Sequence, residues 1–444
     1  MRRIKWFMPV FFTLLTLLWV LAENLQSLPW SYFPIRKVLM QYSGILAMAT
    51  ISIIMLLALR LKPLEKLLNG LDKSYRLHKW LGISSLVFIL IHWFWTKGSK
   101  HLVNWGLLDK PGGKGRMLST IDASSFEGLL HSLRHSAELV GEWSFYVLLL
   151  LIAIALVKKI SYPIFLSTHK LMSVVYLLFV FHSLVLVKFS YWQQPIGWIV
   201  GGLIVIGCWA AIQSLIGNIG QKNKIQGNVE SFHFYKSNHV LSISVGTSKQ
   251  WLGHEPGQFA FVTFLGQEPH PFTIASMPNP SGSVRFHIKA IGDFTDRLNT
   301  SIKVGDPVTL EGPYGCFNFK SKTGHQIWVA GGIGIAAFTA RMEALVNTDQ
   351  SCFVDLFYCT QSPDPIFIQY ISSLAKQANV KLHLWDVNKQ GFLNAKQITE
   401  MVMDWADSDV WFCGPQSFSS VLQHAFDEFG LSKSKFHYEL FQMR

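Results

Sequence analysis

The chain has 444 residues, half of them hydrophobic, and a formal net charge of +12. Long apolar runs crowd the first half and stop near residue 220, which excludes a wholly soluble protein. The basic residues gather at the edges of those runs with no basic-aromatic recognition motif, so no nucleic acid is expected. Anionic lipid headgroups and phosphate-bearing ligands fit them better. The five cysteines, Cys208, Cys316, Cys352, Cys359 and Cys413, have no disulfide or zinc spacing and suit a reducing compartment.

Six stretches, roughly 4–22, 36–59, 77–96, 138–157, 164–188 and 195–216, can each cross about 30 Å of hydrocarbon as a helix. An even number puts both chain ends on one side. Arg2, Arg3 and Lys5, the cluster Arg60, Lys62, Lys66, Lys73, Arg76 and Lys79, and Lys158, Lys159 and Lys170 mark that side as cytoplasmic. Lys97, Lys100, Lys110, Lys114, Arg116 and Arg134 fall on the other side and argue against it, but are outvoted. The first stretch starts like a secretory signal, yet Ala22-Glu23-Asn24 offers no small-x-small cleavage site, so a retained anchor is expected. The localisation implied is a plasma membrane, the bacterial inner membrane, with both termini inside.

Four histidines lie in two of these stretches, His78 and His92 fourteen residues apart, His169 and His182 thirteen apart. At helical rise the spacings are roughly 21 and 20 Å, placing one imidazole near each side of the membrane on each helix. Helices running in the same direction would pair His78 with His169 and His92 with His182, each pair around one iron. A lone intramembrane histidine is as readily a packing residue; four at matched spacing favour ligation. Fourteen residues nearly close whole turns and thirteen do not, so the second helix must bend, rewind or meet its ligands at a different angle. With no Cys-x-x-Cys-His, covalent attachment is excluded and b-type haem is expected.

From about residue 225, short alternating apolar runs such as Val240 to Val245 and Val284 to Lys289 read as antiparallel strands. From about 325, strand then helix alternates: Ile327 to Ala330, a glycine turn, then Ala336 to Val346; Cys352 to Tyr358, then Phe367 to Ala378. That is a small parallel α/β domain. The expected organisation is a six-span α-helical bundle (1–220), an antiparallel β-barrel (221–320) and an α/β nucleotide-binding domain (321–444).

His270-Pro271-Phe272-Thr273, with Ser276, preceded by Gly257-Gln258-Phe259 and followed by His287, Lys289, Gly292 and Thr295, resembles the flavin motif of the ferric reductase and NADPH oxidase superfamily. Gly312-Pro-Tyr-Gly315 and Gly331-Gly332-Ile-Gly334 resemble its pyrophosphate loop; independently, glycines at a strand end let a phosphate approach backbone amides. Tyr358-Cys359 and Cys413-Gly414-Pro415 resemble its nicotinamide-side segments, and Phe436 to Phe441 its C-terminus. The resemblance implies FAD near Phe272, its phosphates on Lys289 and the Thr295 turn, NAD(P)H on the glycine loop and Cys413, and an aromatic such as Phe441 stacked on the flavin. Gln442, Met443 and Arg444 extend beyond that aromatic. Two departures stand out: Thr96 occupies the place of a further histidine that oxygen-reducing relatives carry, and Thr360-Gln361-Ser362 lacks the arginine that many NADPH users direct at the 2′-phosphate. Arg36 is the counterpart of an outer-side arginine.

The resulting expectation is an NAD(P)H oxidase or ferric reductase. Electrons would pass from cytoplasmic NAD(P)H through FAD and two b-type haems to an outer acceptor, oxygen slightly ahead of a ferric chelate. A donor subunit for a periplasmic oxidoreductase is a third reading. A non-enzymatic haem or proton-conducting membrane protein is disfavoured by the nucleotide and flavin motifs. Phe88 and Tyr176, between the two depths, are expected to pack rather than to relay electrons.

Overall fold

The computed structural model describes residues 2–109, 124–157, 159–247, 251, 253–321, 323–346 and 352–439. Phe441, Gln442, Met443 and Arg444, with Lys110, Lys114, Arg116 and Lys158, lie outside the described residues. The chain divides into two compact units, one of Met1–Leu64 and Lys73–Ile219, the other of Glu65–Asp72 and Gly220–Arg444.

Among the described residues six helices are long and apolar enough to cross a membrane, all but the first residues of the third lying in the first unit: Ile4–Ala22, Tyr32–Leu57, Leu71–Asn104, Phe126–Leu156, Tyr162–Leu186 and Pro195–Leu215. A helix satisfies its own backbone groups, which hydrocarbon cannot do. Val10, Leu14, Leu17 and Leu21 stay exposed along one face of the first span. The second span packs on the sixth and the fourth on the fifth. Small residues allow that approach: Gly207, Ala210 and Ala211 are buried on the sixth span, and a side chain at Gly207 would overlap the Tyr176 hydroxyl. That hydroxyl bonds Ser52 Oγ at 3.0 Å and donates to Ile204 O at 3.2 Å. Phe88 meets Phe12 edge-on at 5.2 Å. Both aromatics pack.

Three spans depart from a plain apolar helix. The fourth begins at Phe126, capped by Ser125, whose Oγ accepts from Gly128 N at 3.0 Å. Its first turns carry Glu127, His131, Arg134, His135 and Glu138, which a hydropathy criterion passes over. The third span widens into a π turn over Phe94–Gly98. The fifth is interrupted at Leu171, between helices Tyr162–Lys170 and Met172–Leu186. There Leu171 N bonds Thr168 O at 3.1 Å and Val174 N bonds Leu171 O at 3.0 Å, both three-residue closures. Each tightened residue adds about 20° of rotation to the helix. The thirteen-residue spacing is thus accommodated partly by local rewinding.

Among the described residues the second unit holds two sheets. Strands β1 (Lys224–Tyr235), β2 (Val240–Gly246), β3 (Phe259–Phe264), β4 (His270–Thr273), β5 (Ser283–Lys289) and β6 (Pro307–Tyr314) form an antiparallel sheet in the order β4-β3-β6-β1-β2-β5. A bridge between Ile274 and Phe286 brings the two edges together and closes a barrel. Alternation along β2 and β5 turns Leu241, Ile243, Val245, Val284, Phe286 and Ile288 into its core. Strands β7 (His325–Gly331), β8 (Phe353–Thr360), β9 (Lys381–Asp386), β10 (Asp409–Cys413) and β11 (Phe436–Tyr438) form a parallel sheet in the order β11-β10-β7-β8-β9. Chain order therefore reverses between β7 and β10, and the crevice beyond their carboxyl ends is the place where open α/β sheets bind ligands.

Candidate redox and nucleotide sites

The four histidines come together in two pairs. His78 and His169 have ring centroids 6.1 Å apart with an interplanar angle of 53°; His92 and His182 are 6.2 Å apart at 87°. A metal ion bonded at about 2 Å to one nitrogen of each of two imidazoles would set their centroids ~6 Å apart. Three of the rings are oriented by backbone carbonyls. Nδ1–H of His78 donates to Ile54 O at 3.2 Å, that of His92 to Met40 O at 2.9 Å, and that of His182 to Ala137 O at 2.8 Å. With Nδ1 carrying the proton, Nε2 keeps the lone pair that a metal takes. Among the described residues, His169 Nδ1 is buried without an acceptor, although its ring stacks on Phe165 at 5.2 Å.

Gly44 and Gly141 make space for the second pair. A Cβ at Gly44 would lie 3.2 Å from His92 Cε1, and one at Gly141 would overlap the His182 ring. Beside this pair is a cavity of about 450 Å³ lined by His92, His182, Arg36, Lys37 and Lys100, by Lys97, Arg134, Glu138 and Glu142, and by other polar and apolar side chains, within the size range of cofactor pockets. Arg36 donates through Nε to Trp95 O at 2.6 Å and through Nη2 to Thr96 O at 3.0 Å. The Thr96 hydroxyl donates to Trp93 O at 2.8 Å. Lys97 pairs with Glu142 at 2.6 Å and Arg134 with Glu138 at 3.0 Å.

On the barrel, the motif expected to face a flavin forms β4, paired with β3 from Phe259↔Thr273 to Val262↔His270. His270 stacks flat on Phe294 at 4.1 Å. Ser276 Oγ accepts from Arg285 N at 3.0 Å. Sequence reasoning missed what holds Ser276 on its other side: His254 donates from Nε2 to Ser276 O at 2.7 Å while its Nδ1 accepts from Trp251 Nε1 at 2.9 Å. Burial keeps His254 neutral by lowering its pKa. The Thr295 hydroxyl accepts from Ile291 N and Gly292 N at 3.0 and 3.1 Å, capping helix Asp293–Ser301, so the amide-rich turn is intact but this hydroxyl is committed locally. Among the described residues Lys289 makes no ion pair.

His287 differs from expectation. It is 3% exposed, lies edge-on to Phe367 at 5.5 Å and Tyr370 at 6.1 Å, and has neither ring nitrogen bonded among the described residues. Burial first, then the neighbouring Arg285, pushes its pKa down to about 3. The reason is strand alternation: His287 shares its face with Arg285, which pairs with Glu343 of helix Ile335–Leu345 at 2.6 Å. His287 therefore packs the barrel against the α/β layer and offers no group to a cofactor.

At the carboxyl ends of β7 and β10 the glycines have different jobs. A Cβ at Gly331 would lie 2.8 Å from Pro415 Cδ, one at Gly334 would overlap the Cys413 carbonyl, and one at Gly414 would lie 2.9 Å from Gly331 Cα. These three fit two turns against each other. Gly332 has φ of +56° and nothing near its Cβ position, so it leaves open backbone before the helix N-terminus. Cys413 and Cys359 are buried thiols with raised pKa, Cys359 up to about 12 and Cys413 further, by burial and then by Glu439. Burial also raises the Tyr358 phenol.

Glu439, quoted in the tail motif but given no role, lies at this junction. A Cβ at Gly315 would sit 3.1 Å from its Oε1. The Gly315 peptide is held on both sides, its N–H donating to Glu65 Oε1 at 2.6 Å and its carbonyl accepting from Gln258 Nε2 at 3.2 Å. No local motif exposes Glu65, which is 250 residues away in sequence. Arg341 and Lys389, two cations of the α/β domain that could meet a 2′-phosphate, are engaged: Arg341 lies over the Phe319 ring at 5.9 Å, and Lys389 pairs with Asp386 at 3.4 Å.

Comparison with known proteins agrees with this architecture. Residues 43–180 match the ferric reductase like transmembrane component, and residues 228–318 match an FAD-binding domain. A flavohemoprotein of Vibrio cholerae is 25% identical over 204 residues, 43% of this chain and 52% of that protein. The glycine betaine monooxygenase reductase subunit of Pseudomonas aeruginosa is 24% identical over 205 residues, 42% of this chain and 56% of that protein. The chain thus spans about half the length of the curated relatives it matches. Among solved structures, the FAD/NAD-binding domain of a nitric oxide dioxygenase from Vibrio cholerae aligns with a TM-score of 0.43 and 22% identity, covering 48% of this chain and 97% of that one. Six apolar spans and these two matches define the class, a multi-pass membrane protein with a flavin-binding module. The chain thus carries a ferric reductase like transmembrane component followed by an FAD-binding module.

Proposed function

We propose that this chain carries electrons from cytoplasmic NAD(P)H, through FAD and two non-covalent b-type haems, to an acceptor on the outer face of the bacterial inner membrane, reducing oxygen to superoxide. The observation that carries this reading is the pair of imidazole pairs, at 6.1 and 6.2 Å, inside the six-span unit. His78 and His169 would hold the inner haem and His92 and His182 the outer. Bound flavin turns a two-electron hydride donor into single-electron steps, and bis-imidazole haems carry single electrons with no open iron position.

The chain's own residues hold and orient these groups. Phe272, Thr273 and Ser276, with His270 and Pro271, would face the flavin; Lys289 and the Gly292–Thr295 turn would take its phosphates. Gly332, seated by Gly331, Gly334, Gly414 and Pro415, would admit the dinucleotide phosphates, with Tyr358, Cys359 and Cys413 lining the nicotinamide side. Burial keeps the Cys413 thiol protonated beside Glu439. In this orientation Lys97 and Arg134 stand on the outer side, and their pairing with Glu142 and Glu138 neutralises two of the charges that argue against it.

Lys37 and Lys100 beside the cavity favour a second reading in which the acceptor is an anionic ferric chelate. The deciding experiment is anaerobic reduction of the purified protein by NAD(P)H, followed by oxygen or ferric citrate. The proposal expects two low-spin haem signals, both reduced, and prompt reoxidation in air with superoxide detected. Reduced haems that persist in air but are reoxidised by ferric citrate select the second reading; fewer than two haems overturns both.

A further inference from the structure

The widened turn after His92 is not left to itself. In a π turn the closures run five residues back instead of four. Two carbonyls of this turn, Trp95 O and Thr96 O, accept from one guanidinium, Arg36 Nε at 2.6 Å and Nη2 at 3.0 Å. Ser99 Oγ adds a weaker donor to Trp95 O at 3.2 Å. Arg36 stands one helical turn before Met40, whose carbonyl accepts from His92 Nδ1 at 2.9 Å, and Ser43 Oγ lies 3.3 Å from the same nitrogen. Gly44, another turn on, leaves the ring its space. Arg36, Met40, Ser43 and Gly44 make one stripe of the second span at three- and four-residue spacing, facing residues 92–96 of the third.

We propose that Arg36 is a positioning residue. Its forked guanidinium closes the π turn and locks the third span in the register that holds His92 against Met40. The fork, rather than the positive charge, is what matters. Lysine carries the same charge as a compact ammonium and cannot present two fixed N–H groups to adjacent carbonyls. This inference rests on His92 and His182 being haem ligands only for its spectroscopic arm; the backbone arm stands without it.

The test uses the full chain in lipid nanodiscs, comparing wild type, Arg36→Lys and Arg36→Ala. Amide hydrogen exchange over residues 93–99, measured without added haem, is expected to quicken in both variants, Arg36→Lys matching Arg36→Ala. In the haem-loaded protein both should broaden or shift the low-spin signal of one haem, and weaken its retention about tenfold, the usual scale for losing an outer support of a metal ligand. Flavin reduction by NADH should be unchanged. If Arg36→Lys restores wild-type exchange and spectra, charge suffices and the proposal is overturned. It is equally overturned if both variants keep wild-type exchange and spectra while only oxygen turnover slows, which would place Arg36 on the acceptor. Should Arg36→Ala fail to accumulate, Arg36→Lys decides alone. A wild type lacking two haems refutes the haem reading, whereas the exchange result still judges this one.

Discussion

The two units hold their chemistry by opposite means. In the membrane unit it resides in side chains, four imidazoles of which three are oriented by carbonyls on neighbouring helices. In the reductase unit it resides largely in backbone, at strand ends where Gly331, Gly334 and Gly414 have no room for a side chain. The difference follows from solvent. Helices in hydrocarbon consume their own backbone groups, leaving side chains to bind, whereas the carboxyl ends of parallel strands leave amides free for phosphate. Substitution should therefore act oppositely: removing a side chain disables one unit, and adding one disables the other.

The largest effect tests the first half of that contrast. His92→Ala or His182→Ala should abolish low-spin ligation of one haem while flavin reduction by NAD(P)H continues; haem content and low-temperature spectra read this. Retention of both low-spin signals in all four single alanine variants would remove histidine from the account. The pairs should also differ. His92 and His182 each have a carbonyl partner, whereas His169 has none among the described residues. Because an outer hydrogen bond to a ligating histidine is worth about ten- to a hundredfold in metal affinity, the haem of His78 and His169 should leave first, by roughly tenfold, when challenged with a haem-scavenging protein. Loss in the reverse order would break the asymmetry.

Adding side chains in the reductase unit should cost less but reach further. Gly334→Ala drives a methyl group into the Cys413 carbonyl, and such overpacking costs about 1–3 kcal/mol. It should lower the thermal stability of the flavin signal as well as weaken NADH binding. Gly332→Ala meets no neighbour and carries only the left-handed backbone penalty of about 1–2 kcal/mol, so it should raise KM for NADH with little change in melting temperature. Equal effects at the two positions would show that the loop does not separate packing from phosphate approach.

What the sequence made legible follows the same division. The histidine spacing, the apolar spans and the alternation of β2 and β5 are local periodicities, and each is present in the structure. The thirteen-residue interval even implied an irregular helix, found at Leu171. Contacts between distant segments were not legible. Nothing near Ser276 announces His254, nothing near Gly315 announces Glu65, and the π turn after His92 is stabilised from 59 and 60 residues away by Arg36. The glycine turn after β7 was legible from its spacing at a strand end, but which glycine is tight and which is open depends on Cys413 to Pro415, some eighty residues on. His287 was misjudged because a motif position cannot say which strand face the other domain covers.

A smaller effect lies in acid. In the unfolded chain His287 titrates near 6.5, and in the folded chain burial holds it down to about 3. Above pH 6.5 both states are neutral and the group has no effect. Below it the unfolded chain takes up a proton that the folded chain refuses, so stability falls as pH drops from 6.5 toward 3, by about 1.4 kcal/mol per pH unit. His254 acts in the same direction. Flavin-fluorescence melts at pH 7.5 and 5.5 should show this loss, and His287→Leu should reduce it while leaving the pH dependence of the histidine pairs' spectra alone. An unchanged slope would mean that His287 is reached by water.

The smallest effect concerns the dinucleotide, where backbone recognition leaves little to read the 2′-phosphate. Thr360-Gln361-Ser362 supplies no cation. Lys389 is tied to Asp386 at 3.4 Å, and the Arg341 guanidinium lies over Phe319, with its Nε buried and without a partner among the described residues. An arginine on an aromatic face contributes about 0.5–1 kcal/mol to packing. NADH and NADPH should therefore differ in kcat/KM by less than about tenfold, equivalent to ~1.4 kcal/mol. Arg341→Met should lower the melting temperature slightly and leave that ratio where it was. If the wild type prefers NADPH a thousandfold and Arg341→Met erases the preference, the guanidinium leaves Phe319 to meet the phosphate, and this end of the reductase unit binds by side chain after all.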